Sequence, residues 1–280
     1  MLVTDLDGTL LDRDGALSDR NRATLMQLGE LGVCRVVATG RSPYSFRKAV
    51  ASDLPVDFVV LSSGVGIISW PDGRALRHNG LVRQQLEQVA HALFDLGLDF
   101  MVHHPFPDNH RFRYWRATSN NADFERRIEL YADYAIPLSR DLDGFEAGAQ
   151  FIAVVGGHDG QQVVDAVRTR LPGFSTLRTT SPLDHASTWI EIFPQGIAKA
   201  SATAWLAQRL SIPLERVLGV GNDYNDLDLL QWAGTSYVVA NAPPELRNCF
   251  AVTASNDDDG VAVAVDAWLR AGRIGQSSAT

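Results

Sequence analysis

Residues 4–12 read TDLDGTLLD, a segment that follows a short apolar start and contains two aspartates, Asp5 and Asp7. Residues two positions apart on an extended segment face the same side. Two carboxylates at such a short distance repel each other, so the pKa of one of them should rise unless a positive charge lies between them. The segment therefore fits either a polar turn after an edge strand or a divalent-cation site that contains a nucleophile.

The composition is that of an ordinary soluble globular protein, with 280 residues, 45% of them apolar and 21% charged. This length allows one large or two modest domains. The net charge is −8 and no cluster of lysine and arginine stands out, so we expect no nucleic-acid partner and no anionic membrane partner.

Cysteine content and apolar run lengths bear on the location of the protein. Cys34 and Cys249 lie in apolar segments and form no disulfide framework, which favours a reduced, cytoplasmic compartment. The start of the chain lacks the pattern of a signal peptide, and the apolar runs are too short to span a bilayer. We therefore expect a cytoplasmic protein. We also expect it to be a monomer or a homodimer, although these features do not decide between the two states.

Strands and helices alternate at both ends of the chain. Nearly continuous apolar segments predict strands, which we place at residues 2–5, 33–40, 57–64, 189–193, 217–220 and 236–240. The first helix should begin at Asp19 with Ser18 as N-cap, and with Leu25, Leu28 and Leu31 on one face. Apolar strands separated by helices indicate an α/β fold in which a doubly wound, Rossmann-like parallel sheet is covered on both faces.

The middle of the chain follows a different pattern, in which neighbouring strands come in pairs between helices. This pattern is typical of an α+β domain. Because the α/β alternation resumes afterwards, with the strand at 189–193, we predict one core interrupted by an inserted domain. The predicted core covers residues 1–79 and 187–280, and the inserted α+β cap covers residues 80–186.

Polar residues follow several predicted strands of the core. In open parallel sheets, ligands bind outside the carboxyl ends of the strands, so these residues should meet at one edge. The set comprises Asp5, Asp7, Thr39, Lys199, Asn222, Asp223, Asn225 and Asp226. Hard oxygen ligands without neighbouring His or Cys favour Mg²⁺ over zinc, and a bound Mg²⁺ would hold Asp5 ionised.

This set of residues suits phosphoryl transfer. An aspartate such as Asp5 can attack phosphorus and form an aspartyl-phosphate. The transferred group needs positive charge and oriented donors, which Lys199, the Thr39 hydroxyl and backbone N–H groups could supply. Asp7 is two residues from the nucleophile and could protonate the leaving alkoxide, then take a proton from water.

Four segments together resemble the signature motifs of the haloacid dehalogenase superfamily, in the same order. They are DLDGTLLD, ATGR, the lysine of FPQGIAKASA, and GNDYNDLDLL. An insertion between the second and third motifs is similar to a type II cap of subtype B, found in the Cof-type branch of phosphatases. The segment VVANAPPELRNCFAVTASNDDDGVAVAV also resembles the C-terminal stretch of that branch.

The resemblance implies a role for each matching residue. Asp5 matches the nucleophile, and Asp7 the general acid/base whose backbone carbonyl also binds Mg²⁺. Thr39, with Gly40 beside it, matches the phosphate-binding motif. Lys199 matches the lysine that bridges phosphate and nucleophile.

Two positions depart from the family pattern. The usual aspartate ligand falls on Asn222, so either the side-chain oxygen of Asn222 or the neighbouring Asp223 would complete the metal site. Asp226 matches the outer carboxylate of the same metal site. Ser63 stands where many relatives carry asparagine near the site, and its role is open.

Arginines near the motifs and in the cap are candidates for substrate contact. Arg41 follows Thr39 and Gly40, and either contacts substrate or forms a salt bridge. The cap segment HHPFPDNHRFRYWR contains Arg111, Arg113 and Arg116, whose guanidinium groups would suit phosphate or carboxylate. The alternative is an ordinary strand pair, in which Phe112, Tyr114 and Trp115 pack on alternating faces.

The leading hypothesis is a Mg²⁺-dependent phosphatase that acts on a small phosphate ester, such as a sugar or polyol phosphate. A phosphomutase or phosphotransferase would use the same nucleophile but protect the aspartyl-phosphate from water. A phospho-accepting signalling switch also uses an acidic cluster, a threonine and a lysine, but such domains are usually about half this length. A catalytically silent binding protein is disfavoured because both Asp5 and Asp7 are present.

Overall fold

A computed structural model describes residues 1–142, 144–157 and 160–277, with side chains up to residue 272. The strands are β1 Leu2–Thr4, β2 Arg35–Ala38, β3 Phe58–Leu61, β4 Gly66–Ser69, β5 Ala75–His78, β6 Leu81–Val82, β7 Asp99–His103, β8 Phe112–Trp115, β9 Ala135–Pro137, β10 Ala147–Gly148, β11 Phe151–Val155, β12 Phe174–Thr180, β13 Thr188–Pro194, β14 Leu218–Gly221, β15 Thr235–Val238 and β16 Ala251–Val252. The helices are α1 Asp19–Glu30, α2 Pro43–Ala49, α3 Arg83–Asp95, α4 Ala122–Leu130, α5 Gly160–Arg170, α6 Lys199–Arg209, α7 Leu227–Trp232, α8 Pro244–Cys249 and α9 Gly260–Ser277. None of the helices in these described ranges has both the length and the hydropathy that crossing a membrane requires.

The chain forms two units. The first comprises Met1–Arg41, Phe46–Arg77 and Ala198–Thr280, and the second comprises Ser42–Ser45 and His78–Ile197. The first unit contains an eight-stranded sheet in the order β16-β15-β14-β1-β2-β3-β4-β5. The strands from β16 to β3 are parallel, and β4 pairs antiparallel with β3.

Helices cover both faces of this sheet. Val3 packs in one apolar cluster with Leu206 of α6 and Leu229 of α7. Leu2 points to the opposite face and is equally buried; α1 and α9 contact each other and lie against β2 and β14. The predicted doubly wound parallel sheet is confirmed. Its strand order reverses at β1, where the chain continues to β2 on one side and later returns as β14 on the other.

The predicted first helix is largely confirmed in α1. The Ser18 hydroxyl accepts a hydrogen bond from the Asn21 N–H at 3.1 Å, as an N-cap does. Leu25 and Leu28 are buried. The prediction for Leu31 is wrong, because α1 ends one residue earlier and Leu31 is 53% exposed.

The second unit is α+β, as predicted. Its six-stranded sheet has the order β12-β13-β11-β7-β8-β9 and is antiparallel except for the pair β8 and β9. Leu93 of α3 and Val167 of α5 pack in one cluster with Phe100. Phe124 of α4 packs in another cluster with Met101, the next residue along β7, so helices lie on both faces of this sheet.

The strand predicted at 189–193 was wrongly assigned to the core. It lies within β13, which pairs antiparallel with β11 and β12 in the sheet of the second unit. This unit therefore continues to Ile197 instead of ending at residue 186. Because β13 is an inner strand with helices on both faces, its side chains are buried on both sides, and its sequence looks like that of a parallel core strand.

Candidate active site

The candidate site lies at the carboxyl edge of the first unit's sheet. Thr4 of β1 pairs with Val220 of β14, and the Asp5 N–H donates to the Val220 carbonyl at 2.9 Å. Asp5 and Asn222 thus leave two adjacent parallel strands at the same edge, and Thr39 leaves β2 on the other side of β1. The strand order reverses here, and in open α/β sheets such a reversal forms the ligand crevice.

Asp7 lies in a tight turn beyond the end of β1. The strand ends at Thr4, and the Leu11 N–H donates to the Leu6 carbonyl at 2.9 Å. The expectation that Asp5 and Asp7 share one face of an extended strand is therefore wrong. Gly8 sets the geometry of the turn with φ +68°, and a Cβ there would lie 2.6 Å from Nδ2 of Asn222.

Asp5, Lys199 and Asp226 form a buried charge cluster. The Lys199 ammonium lies 2.7 Å from Asp5 Oδ1 and 2.6 Å from Asp226 Oδ1, and its side chain is 0% exposed. The Thr9 hydroxyl donates to the other oxygen of Asp5 at 3.1 Å. Both oxygens of Asp5 are thus oriented by protein donors.

The charges in this cluster shift one another's pKa values. Burial raises the pKa of Asp5 to about 7, with Lys199 opposing the shift and Asp226 and Asp7 adding to it. For Lys199, burial opposes the charged form, but Asp226 and Asp5 outweigh it, so the pKa of the ammonium is raised. The ammonium therefore stays charged, and the cluster still carries an excess of negative charge. A further cation would relieve that excess and hold Asp5 ionised.

Asp226 organises the turn after β14. Its Oδ2 accepts the N–H groups of Asn222 at 2.9 Å and Asp223 at 3.1 Å, while its Oδ1 binds Lys199. Both oxygens of this buried carboxylate are engaged, so its observed contacts orient Lys199 and the turn. The side chain of Asn222 lies close to Gly8, the residue that follows Asp7 in the chain.

Arg41 and Asp7 form a bidentate ion pair. The guanidinium contacts both carboxylate oxygens, at 2.7 Å from Nε and 2.6 Å from Nη2. Their side chains are 34% and 43% exposed, so the pair is accessible to solvent. The Arg41 N–H also donates to the Thr39 hydroxyl at 3.1 Å, which closes the backbone around Gly40. Of the two interpretations of Arg41, the salt bridge is the one that this conformation contains.

Ser63 lies in a turn that packs beside Thr39. Its side chain is buried and its N–H donates to the Thr39 carbonyl at 3.0 Å. Ser62 and Ser63 both have positive φ, at 49° and 54°, which is uncommon for residues other than glycine and asparagine. Asparagine would adopt this backbone more readily than serine does.

The residues predicted to hold a metal offer oxygen atoms, the donors that Mg²⁺ prefers. The candidate donors are the Asp5 carboxylate, the Asp7 backbone carbonyl and either the Asn222 side-chain amide or the Asp223 carboxylate. Within the described part of the chain, no group of three or more His, Cys, Asp and Glu side chains forms a ready metal cage. Mg²⁺ keeps several waters and is usually held by one or two carboxylates together with substrate phosphate, so such a cage is not required.

The cap arginines all have partners within the second unit. The Arg111 guanidinium lies 5.5 Å from the Tyr134 ring centroid, and Arg113 lies 5.8 Å from that of Phe145. Arg116 forms a bidentate pair with Glu125, with Nη2 at 2.7 Å from Oε2.

The aromatic residues of β8 pack on alternating faces of the cap sheet. Phe112 and Tyr114 join the cluster beneath α4, and Trp115 packs against the opposite cluster. These rings are therefore packing residues, as the alternative interpretation of the segment held.

Two polar side chains at the site, those of Thr9 and Asn241, were not given roles from sequence, whereas Asn256 was expected to brace the site. Thr9 orients Asp5, and the only signal was its position four residues after Asp5 in the opening motif. The Asn241 amide donates to the Gly8 carbonyl at 2.8 Å. Asn241 also accepts from the Asn256 N–H at 3.0 Å, and the Asn256 amide donates to the Leu11 carbonyl at 3.1 Å. Asn241 and Asn256 thus brace the turn that carries Asp7.

Comparisons with known proteins cover nearly the whole chain. A family model described as haloacid dehalogenase-like hydrolase matches residues 2–265. A 5-amino-6-(5-phospho-D-ribitylamino)uracil phosphatase of Bacillus subtilis is 24% identical over 274 residues, covering 96% of this chain and 95% of the relative. An HMP-PP phosphatase of Escherichia coli is 26% identical over 246 residues, covering 87% and 85%. The solved structure of a subclass IIB sugar phosphatase is 17% identical and has the same fold, with a TM-score of 0.72 and coverage of 95% and 98%.

Proposed function

The chain belongs to the haloacid dehalogenase-like hydrolase family, and we propose that it is a Mg²⁺-dependent phosphatase of small phosphorylated metabolites. The contact that carries this proposal is the one between Lys199 and Asp5, at 2.7 Å, directly after the central strand β1. A buried carboxylate oriented by a cation and a hydroxyl is suited to attack on phosphorus. Asp7, two residues away, is accessible to solvent and suited to proton transfer.

In the proposed reaction, an oxygen of Asp5 attacks phosphorus, so that a bond to Asp5 forms while the ester P–O bond breaks. Asp7 gives a proton to the departing alkoxide. Asp7 then takes a proton from water, whose oxygen attacks the phosphorus and releases inorganic phosphate and the free Asp5 carboxylate. Lys199 and Thr39 stabilise the negative charge on the transferred group.

Asp5, the backbone carbonyl of Asp7 and the turn at Asn222 would hold the Mg²⁺ ion. When bound, the ion supplies positive charge beside the phosphate oxygens. The raised pKa of Asp5 supports this assignment, because burial and neighbouring carboxylates disfavour its ionised form even beside Lys199, and a further cation would oppose them.

We further propose a sugar or polyol phosphate as substrate. The named Bacillus relative acts on a phosphorylated ribityl compound, and a solved protein of the same fold is named a sugar phosphatase. Within this proposal, the second unit selects the ester. A cytoplasmic location and a monomeric or homodimeric state stay predictions.

The first test is phosphate release by the purified protein after removal of bound metal. We expect hydrolysis of p-nitrophenyl phosphate, and of members of a sugar- and polyol-phosphate panel, only after Mg²⁺ is added. Asp5→Asn should abolish turnover, because an amide is a poor nucleophile. Transfer of phosphate to a second sugar hydroxyl would instead identify a phosphomutase. Labelling by acetyl phosphate without turnover would identify a signalling switch.

A further inference from the structure

Helix α6 begins at Lys199, and its first turn lacks an N-cap side chain of its own. The N-cap position is Ala198, which has no side-chain acceptor. The Ser201 hydroxyl accepts from the Ala198 N–H at 3.1 Å, which is only half of a capping box. The N–H groups of a helix's first turn need acceptors from elsewhere when the N-cap residue supplies none.

Asp228 of α7 supplies such an acceptor from a different helix. Its Oδ2 lies 2.8 Å from the Ala200 N–H, at the second position of α6. A carboxylate there also complements the positive end of the α6 dipole. The other oxygen, Oδ1, is buried and has no hydrogen-bond partner among the residues the structure describes. Burial of a half-satisfied carboxylate is costly, which argues that the bond it does make matters.

The contact between Asp228 and the Ala200 N–H fixes the backbone next to Lys199, whose side chain is bound by a neighbour of Asp228. Asp226, two residues before Asp228, binds the Lys199 ammonium at 2.6 Å. The start of α7 therefore holds Lys199 at two points, the ammonium through Asp226 and the adjacent backbone through Asp228.

The start of α6 is closely packed against a second segment as well. A Cβ on Gly64 would lie 2.5 Å from the Ala198 carbonyl oxygen, so the turn containing Ser62 and Ser63 lies directly against this backbone. The start of α6 is therefore held both by this turn and by Asp228.

We infer that Asp228 is a positioning residue for Lys199, acting through the N-terminus of α6. Its effect on catalysis rests on the proposed phosphatase function, whereas its effect on the α6 backbone does not. A shift of about 1 Å at a reacting group can cost on the order of 10²-fold in rate. Loss of the Asp228 contact should therefore lower kcat while leaving the substrate contacts of other residues in place.

The test compares Asp228→Ala, Asp228→Asn and the double variant Ala198→Ser with Asp228→Ala in the full-length protein. Serine at the N-cap would give α6 its own acceptor, and asparagine at 228 keeps an acceptor oxygen. Asp57→Ala is the control, because Asp57 also binds a backbone N–H and a guanidinium, those of Arg35, but precedes β3 at the opposite edge of the sheet.

Hydrogen exchange is measured without substrate, in the peptide that covers the first turn of α6. The kinetic constants kcat and KM are measured separately, with p-nitrophenyl phosphate and Mg²⁺. We expect Asp228→Ala to speed exchange in this peptide and to lower kcat at least about tenfold, with a smaller change in KM. Both effects should be largely reversed in the double variant and mild in Asp228→Asn. Asp57→Ala should leave exchange in this peptide unchanged.

Unchanged exchange in Asp228→Ala would overturn the inference, as would faster exchange with an unaltered kcat. A loss of kcat that Ala198→Ser fails to reverse would also overturn it. If the wild-type protein hydrolyses no ester, the proposed function fails, and the exchange measurements still decide whether Asp228 holds the start of α6.

Discussion

Arg41 binds both carboxylate oxygens of Asp7, with Nε 2.7 Å from Oδ2 and Nη2 2.6 Å from Oδ1. Each carboxylate oxygen keeps a second lone pair, so proton exchange with a leaving group or with water would use a position that Arg41 leaves open. In the conformation described here, Arg41 determines where the Asp7 side chain is held.

Arg41→Lys should weaken this control, because an ammonium keeps the charge but cannot form the two-point contact. We expect kcat for an alkyl phosphate to fall about tenfold, and by less for p-nitrophenyl phosphate, whose leaving group departs without a proton. Asp7→Asn sets the scale, with an expected loss of at least about 10²-fold on the alkyl ester. The measurement is kcat on both esters for both variants. Equal losses on the two esters would contradict a role in protonating the leaving group.

The position of Asn222 beside Gly8 makes it the stronger candidate for the metal ligand. Asn222→Ala should therefore raise the Mg²⁺ concentration needed for half-maximal activity more than Asp223→Ala does. Asn222→Asp should lower it, because it adds a negative charge beside the ion. Mg²⁺ titrations of activity in the three variants test this. The reverse order for the two alanine variants would assign the ligand to Asp223, and no change in any variant would place the metal elsewhere.

The gathering of Asp5, Thr39 and Asn222 at one edge could be predicted because parallel strands share the direction of their carboxyl ends. The environment of Lys199 could not be predicted from helix periodicity, which would normally leave a lysine in the first turn exposed. Only the order of the motifs indicated a functional lysine. Its burial depends on Asp5 and Asp226, two carboxylates that are distant in sequence.

Other features depended on tertiary contacts that no local pattern contains. The apolar run of β13 has the same composition whether it pairs in the core or in the cap, and only the observed pairing with Phe151–Val155 decides. The ion pair of Arg41 with Asp7 likewise joins segments that are far apart in the chain, and so does the hydrogen bond by which Asp228 of α7 caps α6. Alanine at position 198 weakly indicates that α6 is capped by a distant residue, because an alanine N-cap has no side-chain acceptor for the first N–H groups of the helix.

His103 of β7 should make the stability of the protein sensitive to acid. Burial lowers the pKa of His103 to about 3, and its Nδ1 lies 2.8 Å from the Asn109 carbonyl. The unfolded chain, in which histidine has a pKa of about 6.5, then binds more protons than the folded protein between these two values. The stabilisation is present above about pH 6.5 and is lost progressively as the pH falls toward 3.

His103→Asn removes this titration while keeping an amide N–H near the position of Nδ1, from which it can donate to the Asn109 carbonyl. The free energy of unfolding should then fall less steeply with acidification, by up to about 1.4 kcal/mol per pH unit below the unfolded pKa. Urea unfolding at several pH values from 7 to about 4 measures the slope. Parallel curves for the wild type and the variant would mean that the pKa of His103 is the same in the folded and the unfolded protein.

The cap arginines differ in how firmly they are engaged. Arg116 is held at two points by Glu125, which raises the pKa of its guanidinium. Arg111 and Arg113 lie over aromatic rings, and such contacts leave guanidinium N–H groups available to an anion. If the second unit selects the ester, Arg111 and Arg113 are better placed than Arg116 to bind it.

We therefore expect Arg111→Ala and Arg113→Ala to lower kcat/KM for the best ester of the panel about tenfold or more, mainly through KM, because each removes a charged contact. Small p-nitrophenyl phosphate should be affected less. Arg116→Ala should leave the ranking of esters unchanged, and Arg170→Ala, which removes an arginine from α5, serves as the matched control. The measurement is kcat/KM for each variant across the whole panel. If Arg111→Ala and Arg113→Ala both keep the wild-type ranking and KM values, these two cap arginines do not bind the ester, and specificity must be sought in other residues.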